Sequence, residues 1–319
     1  MRPGLFHRSL DAFAVWTEDR LRRAPEACLV APAAPLACFG PLAELPGTAP
    51  VEGPWSAPSP LPLDDGDRMW VRAMRARGPR RGTALLVPPW KIARPALVSG
   101  YAALLCRAGW DVWLVSPPHH LERTAAGKRS GEGFVSLDLA RLRRVFEQLV
   151  LELRTCTALA APSGPVALVG LSLGALAGAL AATAPERLAF AALVAPPHLP
   201  AVMAETGIGR RYQRLAARAG TAWPGTDALS AALAPLDPGL RPPTAARVLV
   251  ASGRYDAIAP PDGPARLARV WGAETALYPR GHISLLFLCR ALRRDLAAFA
   301  RGAAPARDAA EVALPSRAS

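Results

Sequence analysis

The sequence predicts an α/β fold with a mostly parallel central sheet and helices on both faces. Short apolar segments typical of buried strands alternate with longer segments of helical periodicity. Polar residues that can carry chemistry follow several of these strands, at the edge where parallel sheets bind ligands. A chain of 319 residues that is 51% hydrophobic but only 6% aromatic can also enclose a large aliphatic core.

The first segment stands apart from this pattern. Residues 5–23 place apolar side chains at loosely helical spacing among arginines, which predicts an amphipathic helix. Two interpretations stay open: an arm packed on the folded body, or a peripheral membrane anchor that could be deleted without loss of activity on soluble substrates. Residues 24–63 are rich in Pro and Ala without a period and predict an irregular arm. The core is predicted to begin near Asp67.

The core is predicted to open with a hairpin of strands 69–76 and 83–87 around the Gly-Pro-Arg-Arg-Gly turn. Strands and helices then alternate, which requires a parallel sheet. Besides the segments treated below, the predicted helices are 96–108 and 137–155, and the predicted strands are 110–116 and 188–194. Residues 196–244 form an insertion with helical stretches at 208–219 and 226–234.

Residues 166–174, Val-Ala-Leu-Val-Gly-Leu-Ser-Leu-Gly, run an apolar strand into a Gly-x-Ser-x-Gly turn. Such a turn exposes a serine hydroxyl between a strand and a helix, and only small residues let the backbone pass. Gly170 and Gly174 are those small residues, and the Ala- and Gly-rich helix 175–184 can pack closely on the strand. Ser172 is the predicted nucleophile, although the motif alone also occurs as a plain turn.

An acid and a base follow in the chain. Asp256 ends a buried strand that starts at Arg247, and His282 follows a last strand, 274–279, and precedes a helix at 285–300. With Ser172, Asp256 and His282 in this order on loops after separate strands, the sequence resembles the α/β-hydrolase superfamily. The resemblance covers about 67–301. It implies a nucleophilic Ser172, a general base His282 oriented by Asp256, acyl-enzyme chemistry, and a lid formed by the insertion.

The oxyanion loop departs from that superfamily, whose members usually carry His-Gly after the corresponding strand. Here the strand leads into Pro88-Pro89-Trp90, and neither proline has an N–H to donate. By position, the backbone N–H groups of Trp90 and Leu173 are the predicted oxyanion donors. The prolines either hold this loop rigid or mark a hole that has been remodelled or lost.

Other polar residues compete for a role. His198 is an alternative base without the Gly-His turn of His282, and Asp262 is predicted to N-cap a helix at 263–271. His119 and His120 are interpreted as surface or site-rim residues, with a metal site as the alternative. Basic residues on loops at the predicted catalytic edge either contact an anionic substrate or form a solvated face; they are Lys91, Arg94, Arg123, Lys128 and Arg129. No cofactor and no metal are predicted.

The composition limits the kinds of partner that the protein could bind and predicts its cellular compartment. The net charge is +13, but only two of the 38 basic residues are lysines and no basic run alternates with aromatics, so nucleic-acid binding is not predicted. The charge can still attract acidic substrates or lipid headgroups. The five cysteines have no Cys-x-x-Cys spacing, and no signal sequence is recognised, which predicts a cytoplasmic protein, with membrane association open through the first helix.

The predicted domains are an N-terminal helical and irregular arm at 1–65, a hydrolase domain at 66–301 with its lid at about 196–244, and a flexible tail at 302–319. The predicted function is hydrolysis of a small-molecule carboxylic ester, including lipid or other acyl esters, through acyl-Ser172. Two alternatives stay open: an acyltransferase with the same triad, and a non-catalytic binding protein of the same fold. Chain length of the acyl group and oligomeric state are not predicted.

Overall fold

A single sheet of eight strands runs through the residues that this computed structural model describes, which are 3–19, 36–42, 45–64, 67–136, 138–218 and 220–302. The strands are β1 Gly53–Pro58, β2 Arg68–Met74, β3 Gly82–Val87, β4 Trp110–Ser116, β5 Val166–Leu171, β6 Phe190–Val194, β7 Val248–Gly253 and β8 Glu274–Tyr278. Their order is β1-β2-β4-β3-β5-β6-β7-β8. All pairs formed among β3 to β8 are parallel. β1 pairs antiparallel with β2, and β2 pairs antiparallel with β4.

The helices cover both faces of this sheet. They are α1 Pro3–Asp19, α2 Ser99–Arg107, α3 Leu139–Ala160, α4 Leu173–Ala181, α5 Leu199–Glu205, α6 Gly207–Arg218, α7 Thr226–Leu233, α8 Asp262–Trp271, α9 His282–Leu288 and α10 Arg290–Ala300. Alternate residues of β3 enter different cores: Leu85 and Val87 pack with α3, α4 and α8, whereas Ala84 and Leu86 pack with α2, α9 and α10. Because successive strand residues point to opposite faces, both faces are buried, and the predicted α/β fold class is confirmed.

The predicted hairpin of the first two core strands is wrong. β2 pairs antiparallel with β4, with Trp70 opposite Ser116, and β3 lies between β4 and β5. All six residues of β3 are buried, whereas burial alternates along β2. A strand that is buried on both faces belongs inside the sheet, so two flanking parallel strands are favoured over a hairpin at the edge.

The predicted irregular arm at 24–63 is also partly wrong, because it contains β1. This strand lies at the sheet edge and pairs only with β2 among the described strands. Pro54 and Pro58 hid it from pattern analysis, yet proline is tolerated on an edge strand, where one side of the backbone has no partner. Residues 20–35 of the predicted arm and first helix lie outside the described residues.

Several helix bounds differ from prediction. The predicted helix at 285–300 is two helices, α9 and α10, separated at Cys289, and the insertion contains α5 in addition to the two predicted helices. Asp262 is the first residue of α8, after Pro261 at the N-cap position, and no side chain caps that helix. The predicted N-cap role of Asp262 is therefore wrong, because Pro261 occupies the N-cap position and Asp262 is already within the helix.

Among the described helices, none combines the length and the apolar character needed to cross a bilayer. Four cysteines, Cys38, Cys106, Cys156 and Cys289, are buried free thiols, and Cys28 lies outside the described residues. The predicted tail from residue 303 onward also lies outside them. Its flexibility stays a prediction.

Candidate active site

Ser172 lies on a sharp turn between β5 and α4. Its φ of +53° is in the left-handed region, which a non-glycine residue adopts only when its surroundings enforce it. The Ser172 N–H donates to the carbonyl of Val194 over 2.8 Å, which fastens the turn to β6. A Cβ built on Gly174 would collide with the carbonyl oxygens of Val87 and Pro88, so this glycine lets α4 approach the loop after β3. The strained turn and the glycine together place the Ser172 hydroxyl at the carboxyl end of the sheet.

The loops after β7 and β8 bring an acid and an imidazole to this hydroxyl. His282 Nε2 lies 2.8 Å from Ser172 Oγ, and His282 Nδ1 lies 2.7 Å from Asp256 Oδ2. The other oxygen of Asp256 accepts the N–H groups of Ile258 at 2.9 Å and Ala259 at 2.7 Å, which orients the carboxylate. The structure therefore joins the three residues that the sequence analysis singled out in one hydrogen-bonded chain.

The protonation of His282 follows from its neighbours. Burial disfavours the imidazolium, but the charge and hydrogen bond of Asp256, and then the charge of Asp11, outweigh it, so the pKa of His282 is raised above its ordinary value. With Asp256 accepting from Nδ1–H, the lone pair of neutral His282 is on Nε2 and faces Ser172. This tautomer can accept the proton of the serine hydroxyl.

The two predicted oxyanion donors lie on segments that meet at Gly174: Leu173 precedes this glycine in α4, and Trp90 belongs to the loop after β3. Leu173 is the first residue of α4, where a backbone N–H has no acceptor within its own helix. Trp90 belongs to the loop whose Pro88 carbonyl meets Gly174, and its indole N–H donates to the carbonyl of Gly131 over 2.9 Å. The loop of Trp90 is thus held against the elbow from one side and against the 131 loop from the other.

His120 supports the same loop. It is fully buried, with 0% of its surface exposed, and its Nε2 accepts the backbone N–H of Lys91 over 3.0 Å. Its Nδ1 lies 2.8 Å from the carbonyl of Pro118, so Nδ1 carries the proton. Burial lowers the pKa of His120 to about 4, so the ring is neutral at pH 7. The interpretation of His120 as a surface or rim residue is wrong, because the loop at 117–135 folds over it.

His119 precedes the buried His120, and a metal site was the alternative interpretation of this pair. Its side chain is partly buried, and burial lowers its pKa. Within the described ranges, no three side chains of His, Cys, Asp or Glu group into a cluster that could hold a metal ion. His198, the competing base, has its Nε2 3.9 Å from Asp237, and the hydrogen bond to Ser172 is made by His282.

The basic residues predicted at this edge divide into two groups. Arg123 is a structural residue: its side chain is only 4% exposed and its guanidinium bonds Glu152 at 2.7 Å and Asp67 at 3.0 Å. Lys128 pairs with Glu132 at 3.1 Å on the surface. Neither of the two alternatives left open for Arg123, substrate contact or a solvated face, holds, since its guanidinium is turned into a buried ionic network.

Lys91 and the exposed Arg94 and Arg129 form the second group, on loops beside the proposed oxyanion donor. Lys91 is half-buried, and its ammonium lies 4.8 Å from the ring centroid of Trp90. Burial, followed by the positive charges of Arg211 and Arg129, lowers the pKa of Lys91 to about 8. The charge of Glu132 acts in the opposite direction, so cations outnumber anions around the Lys91 ammonium.

α1 contributes to this site through two side chains that were not predicted to belong to it. Asp11 is buried and accepts backbone N–H groups on both the acid and the histidine loops, and His7 Nδ1 lies 2.9 Å from Ser284 Oγ. The signal was present in the sequence, because His7 and Asp11 are four residues apart and so share one face of the helix. Nothing in the sequence indicated which surface that face meets.

Solved structures of other proteins share the fold of this chain. No protein-family model and no curated protein matches the sequence. Among solved structures, the chain is similar to an acetyl xylan esterase from Paenibacillus sp. R4, with 17% identity, a TM-score of 0.55, and coverage of 75% of this chain and 81% of the other. It is also similar to a soluble variant of monoglyceride lipase from Saccharomyces cerevisiae, with 13% identity, a TM-score of 0.53, and coverage of 82% and 99%. The chain has the α/β-hydrolase fold, as the resemblance in its sequence implied.

Proposed function

We propose that this protein is a serine hydrolase that cleaves carboxylic esters through an acyl-serine intermediate. The observation that carries the proposal is the hydrogen-bonded chain from Ser172 Oγ to His282 Nε2, at 2.8 Å, and from His282 Nδ1 to Asp256, at 2.7 Å. A serine hydroxyl is a weak nucleophile unless a base accepts its proton and a third group orients that base. These distances meet both requirements.

In the proposed mechanism, Ser172 Oγ attacks the ester carbonyl carbon while His282 Nε2 takes the hydroxyl proton. The carbonyl oxygen becomes an oxyanion that accepts from the N–H groups of Leu173 and Trp90. When the tetrahedral intermediate collapses, the alcohol leaves with the proton from His282 and acyl-Ser172 remains. Water, deprotonated by the same imidazole, then attacks the acyl carbon and releases the acid. Asp256 holds the imidazole in this tautomer and stabilises the imidazolium in both halves.

The substrate class is an acyl ester, including lipid esters. The two similar structures named above are those of an esterase and a lipase, and at their low identity they support the fold on which this chemistry can occur. A cavity of about 480 Å³ lies beside Ala257, the residue after Asp256, between α1 and α6. Its size is in the range that accommodates small ligands, but neither Ser172 nor His282 is among its lining residues, so it does not hold the reacting ester group.

A second candidate is acyl transfer from Ser172 to an alcohol or thiol acceptor. The observation that favours it is the burial of the reacting groups: only 8% of Ser172 and 2% of His282 is exposed. A closed site that admits an acceptor but excludes water would resolve the acyl-enzyme by transfer. Product analysis with and without an added alcohol distinguishes the two functions, because transfer yields a new ester and hydrolysis yields the free acid.

The proposal includes peripheral membrane contact through α1. While Asp11 and His7 on this helix are buried, the large apolar side chains Leu5, Phe6 and Phe13 are 56%, 48% and 60% exposed. An amphipathic helix with exposed aromatic residues on a cationic protein suits an anionic lipid surface. Replacing Phe6 by serine is expected to weaken binding to phosphatidylglycerol vesicles in a sedimentation assay, whereas Ser9→Ala on the same helix is not. Equal binding of both variants would remove this part of the proposal.

The function is tested by labelling the purified protein with a fluorophosphonate. Wild-type protein is expected to be labelled at Ser172, and Ser172→Ala is expected to lose the label while keeping its melting temperature. Ser99→Ala, which changes an exposed serine at the start of α2, is the matched control and should label like the wild type. A folded wild-type protein that takes no label would instead favour the non-catalytic binding role.

A further inference from the structure

The N-terminal helix α1 delivers a buried carboxylate to both loops that carry the proposed acid and base. Asp11 is fully buried, with 0% of its surface exposed. Its Oδ2 accepts the N–H of His282 at 2.8 Å and of Ala257 at 3.1 Å, and its Oδ1 accepts the N–H of Ile283 at 3.0 Å. One side chain thus bonds the proposed base itself and the residue directly after the proposed acid, across 246 to 272 residues of sequence.

We infer that Asp11 is a positioning residue for the Ser172–His282–Asp256 site and that α1 is an integral part of that site. This inference rests on the proposed function. The distance between Asp256 and His282 depends on the relative position of two separate loops, and Asp11 is hydrogen-bonded to both of them. A group that fixes two loops against each other holds the reacting atoms in a productive geometry, where small displacements have large effects on rate.

Asp11 also replaces a missing helix cap. Gly281 occupies the N-cap position of α9 and has no side chain with which to accept the first N–H groups of that helix. The carboxylate of Asp11 accepts two of them, those of His282 and Ile283. A Cβ built on Gly281 would lie 2.8 Å from Asp11 Oδ2, so the absence of a side chain there permits the approach of the carboxylate.

A second contact, one helical turn away, repeats the connection. His7 Nδ1 lies 2.9 Å from Ser284 Oγ, and that hydroxyl accepts the N–H of Gly281 at 3.0 Å. The His7 ring also stacks on Tyr255, the residue before the proposed acid, with 6.0 Å between ring centroids. Two successive turns of α1 therefore hold the first turn of α9 and the loop after β7.

The charge of Asp11 acts on the imidazole as well. The pKa of Asp11 is raised above its ordinary value, because burial, together with the charge of Asp256, outweighs the three backbone donors that favour the ionised form. The titratable groups that act on His282 are Asp256 from the loop after β7 and Asp11 from α1, and both raise the pKa of His282 against the effect of burial. His7 lies on the Asp11 face of α1, and burial and the charge of Arg280 lower the pKa of His7. Loss of the Asp11 charge is therefore expected to lower the pKa of His282.

These contacts lead to the opposite expectation from the membrane-anchor interpretation, in which the first segment could be deleted without loss of activity on soluble esters. The decisive variant is Asp11→Asn, which keeps the shape of the side chain and removes its charge. Asp111→Asn is the matched control: Asp111 is a buried carboxylate that accepts the N–H of Ala76 at 2.8 Å and the guanidinium of Arg80 at 2.6 Å, at the start of β4 and hence at the opposite edge of the sheet.

The first readout is the rate of fluorophosphonate labelling between pH 5 and 9, measured below the melting temperature of each variant. Asp11→Asn is expected to label about 10- to 100-fold more slowly than the wild type. The acidic limb of its profile of labelling rate against pH is expected to move to lower pH. Asp111→Asn should keep the wild-type profile even if its melting temperature falls. Asp11→Glu, which restores the charge, should return the limb toward higher pH. If Asp11→Asn does not fold, Asp11→Ser removes the same charge with a smaller side chain.

The second readout, NMR titration of the His282 ring, does not depend on turnover. If the wild type labels and Asp11→Asn or Asp11→Ser labels with the same rate and the same limb, the inference fails while the proposed function stands. If the wild type does not label, the proposed function fails, and the titration decides whether Asp11 acts on the imidazole: a lower His282 pKa in the variant supports that coupling, and an unchanged one overturns it.

Discussion

The backbone N–H of Lys91 donates to Nε2 of His120 over 3.0 Å, which ties the residue after the proposed oxyanion donor to a fully buried, neutral imidazole. Because the second nitrogen of His120 is paired with the Pro118 carbonyl, the ring can hold this bond only in one tautomer. The oxyanion loop, which lacks two N–H groups at its prolines, is thus positioned by a histidine 29 residues further along the chain.

We expect His120→Ala to impair the site by releasing this loop. The Lys91 N–H would lose its acceptor, which should lower the free energy of unfolding by about 1–3 kcal/mol. Labelling by the fluorophosphonate should slow by about 10- to 100-fold, since a misplaced oxyanion donor no longer stabilises the negative charge that develops in the transition state. Urea unfolding and labelling kinetics check the two effects. The control is His119→Ala, and equal labelling of both variants and the wild type would contradict the role given to His120.

The same histidine predicts a pH dependence of stability. Burial lowers the folded-state pKa of His120 to about 4, below its ordinary value of 6.5, so the unfolded chain binds the extra proton between these two values. The stability that depends on a neutral His120 is therefore fully present above pH 6.5, and it is lost as the pH falls toward 4. At pH 5 we expect a loss of about 2 kcal/mol relative to pH 7.5 from this group. Urea unfolding of the wild type and His120→Gln at both pH values measures it: the difference between the two proteins should shrink at pH 5, and a constant difference would speak against it.

Lys91 predicts a preference for anionic esters that depends on pH. Since its pKa is lowered to about 8, first by burial and then by neighbouring arginines, the ammonium loses its charge as the pH rises through about 8. The ratio of kcat/KM for a succinate monoester to that for a neutral butyrate ester should fall between pH 7 and 9. Lys91→Met should abolish this fall, and Lys128→Met, at an exposed lysine paired with Glu132, should leave it intact. A ratio that does not change between pH 7 and 9 in the wild type would contradict this prediction.

Arg123 predicts a large effect on stability. Its guanidinium neutralises Glu152, a carboxylate with a fully buried side chain, at 2.7 Å. Arg123→Met leaves that carboxylate without its cation and should lower the free energy of unfolding by about 3–5 kcal/mol. The double variant Arg123→Met with Glu152→Gln should recover part of this loss, because the second change removes the unpaired charge. Chemical denaturation of the three proteins tests it, and a single variant as stable as the wild type would show that the pair contributes little.

Local patterns were sufficient for much of the fold. The strand at 110–116 has the predicted bounds, because a mostly apolar run between Gly109 and Pro117 leaves few alternatives. The elbow at Ser172 could be located because its glycines, strand and helix lie within a few residues of each other. β1 could not be found this way, since two prolines obscure its pattern and only its pairing with β2 makes it a strand.

By itself, the sequence determined the α/β class and singled out Ser172, Asp256 and His282, because each of these is marked by its own strand end and turn. Only the tertiary structure decided that β2 pairs with β4, that His120 is buried beneath the oxyanion loop, and that Asp11 meets the acid and histidine loops. Those contacts join residues far apart in the chain. Their partners are selected by the packing of whole elements, which no local periodicity encodes.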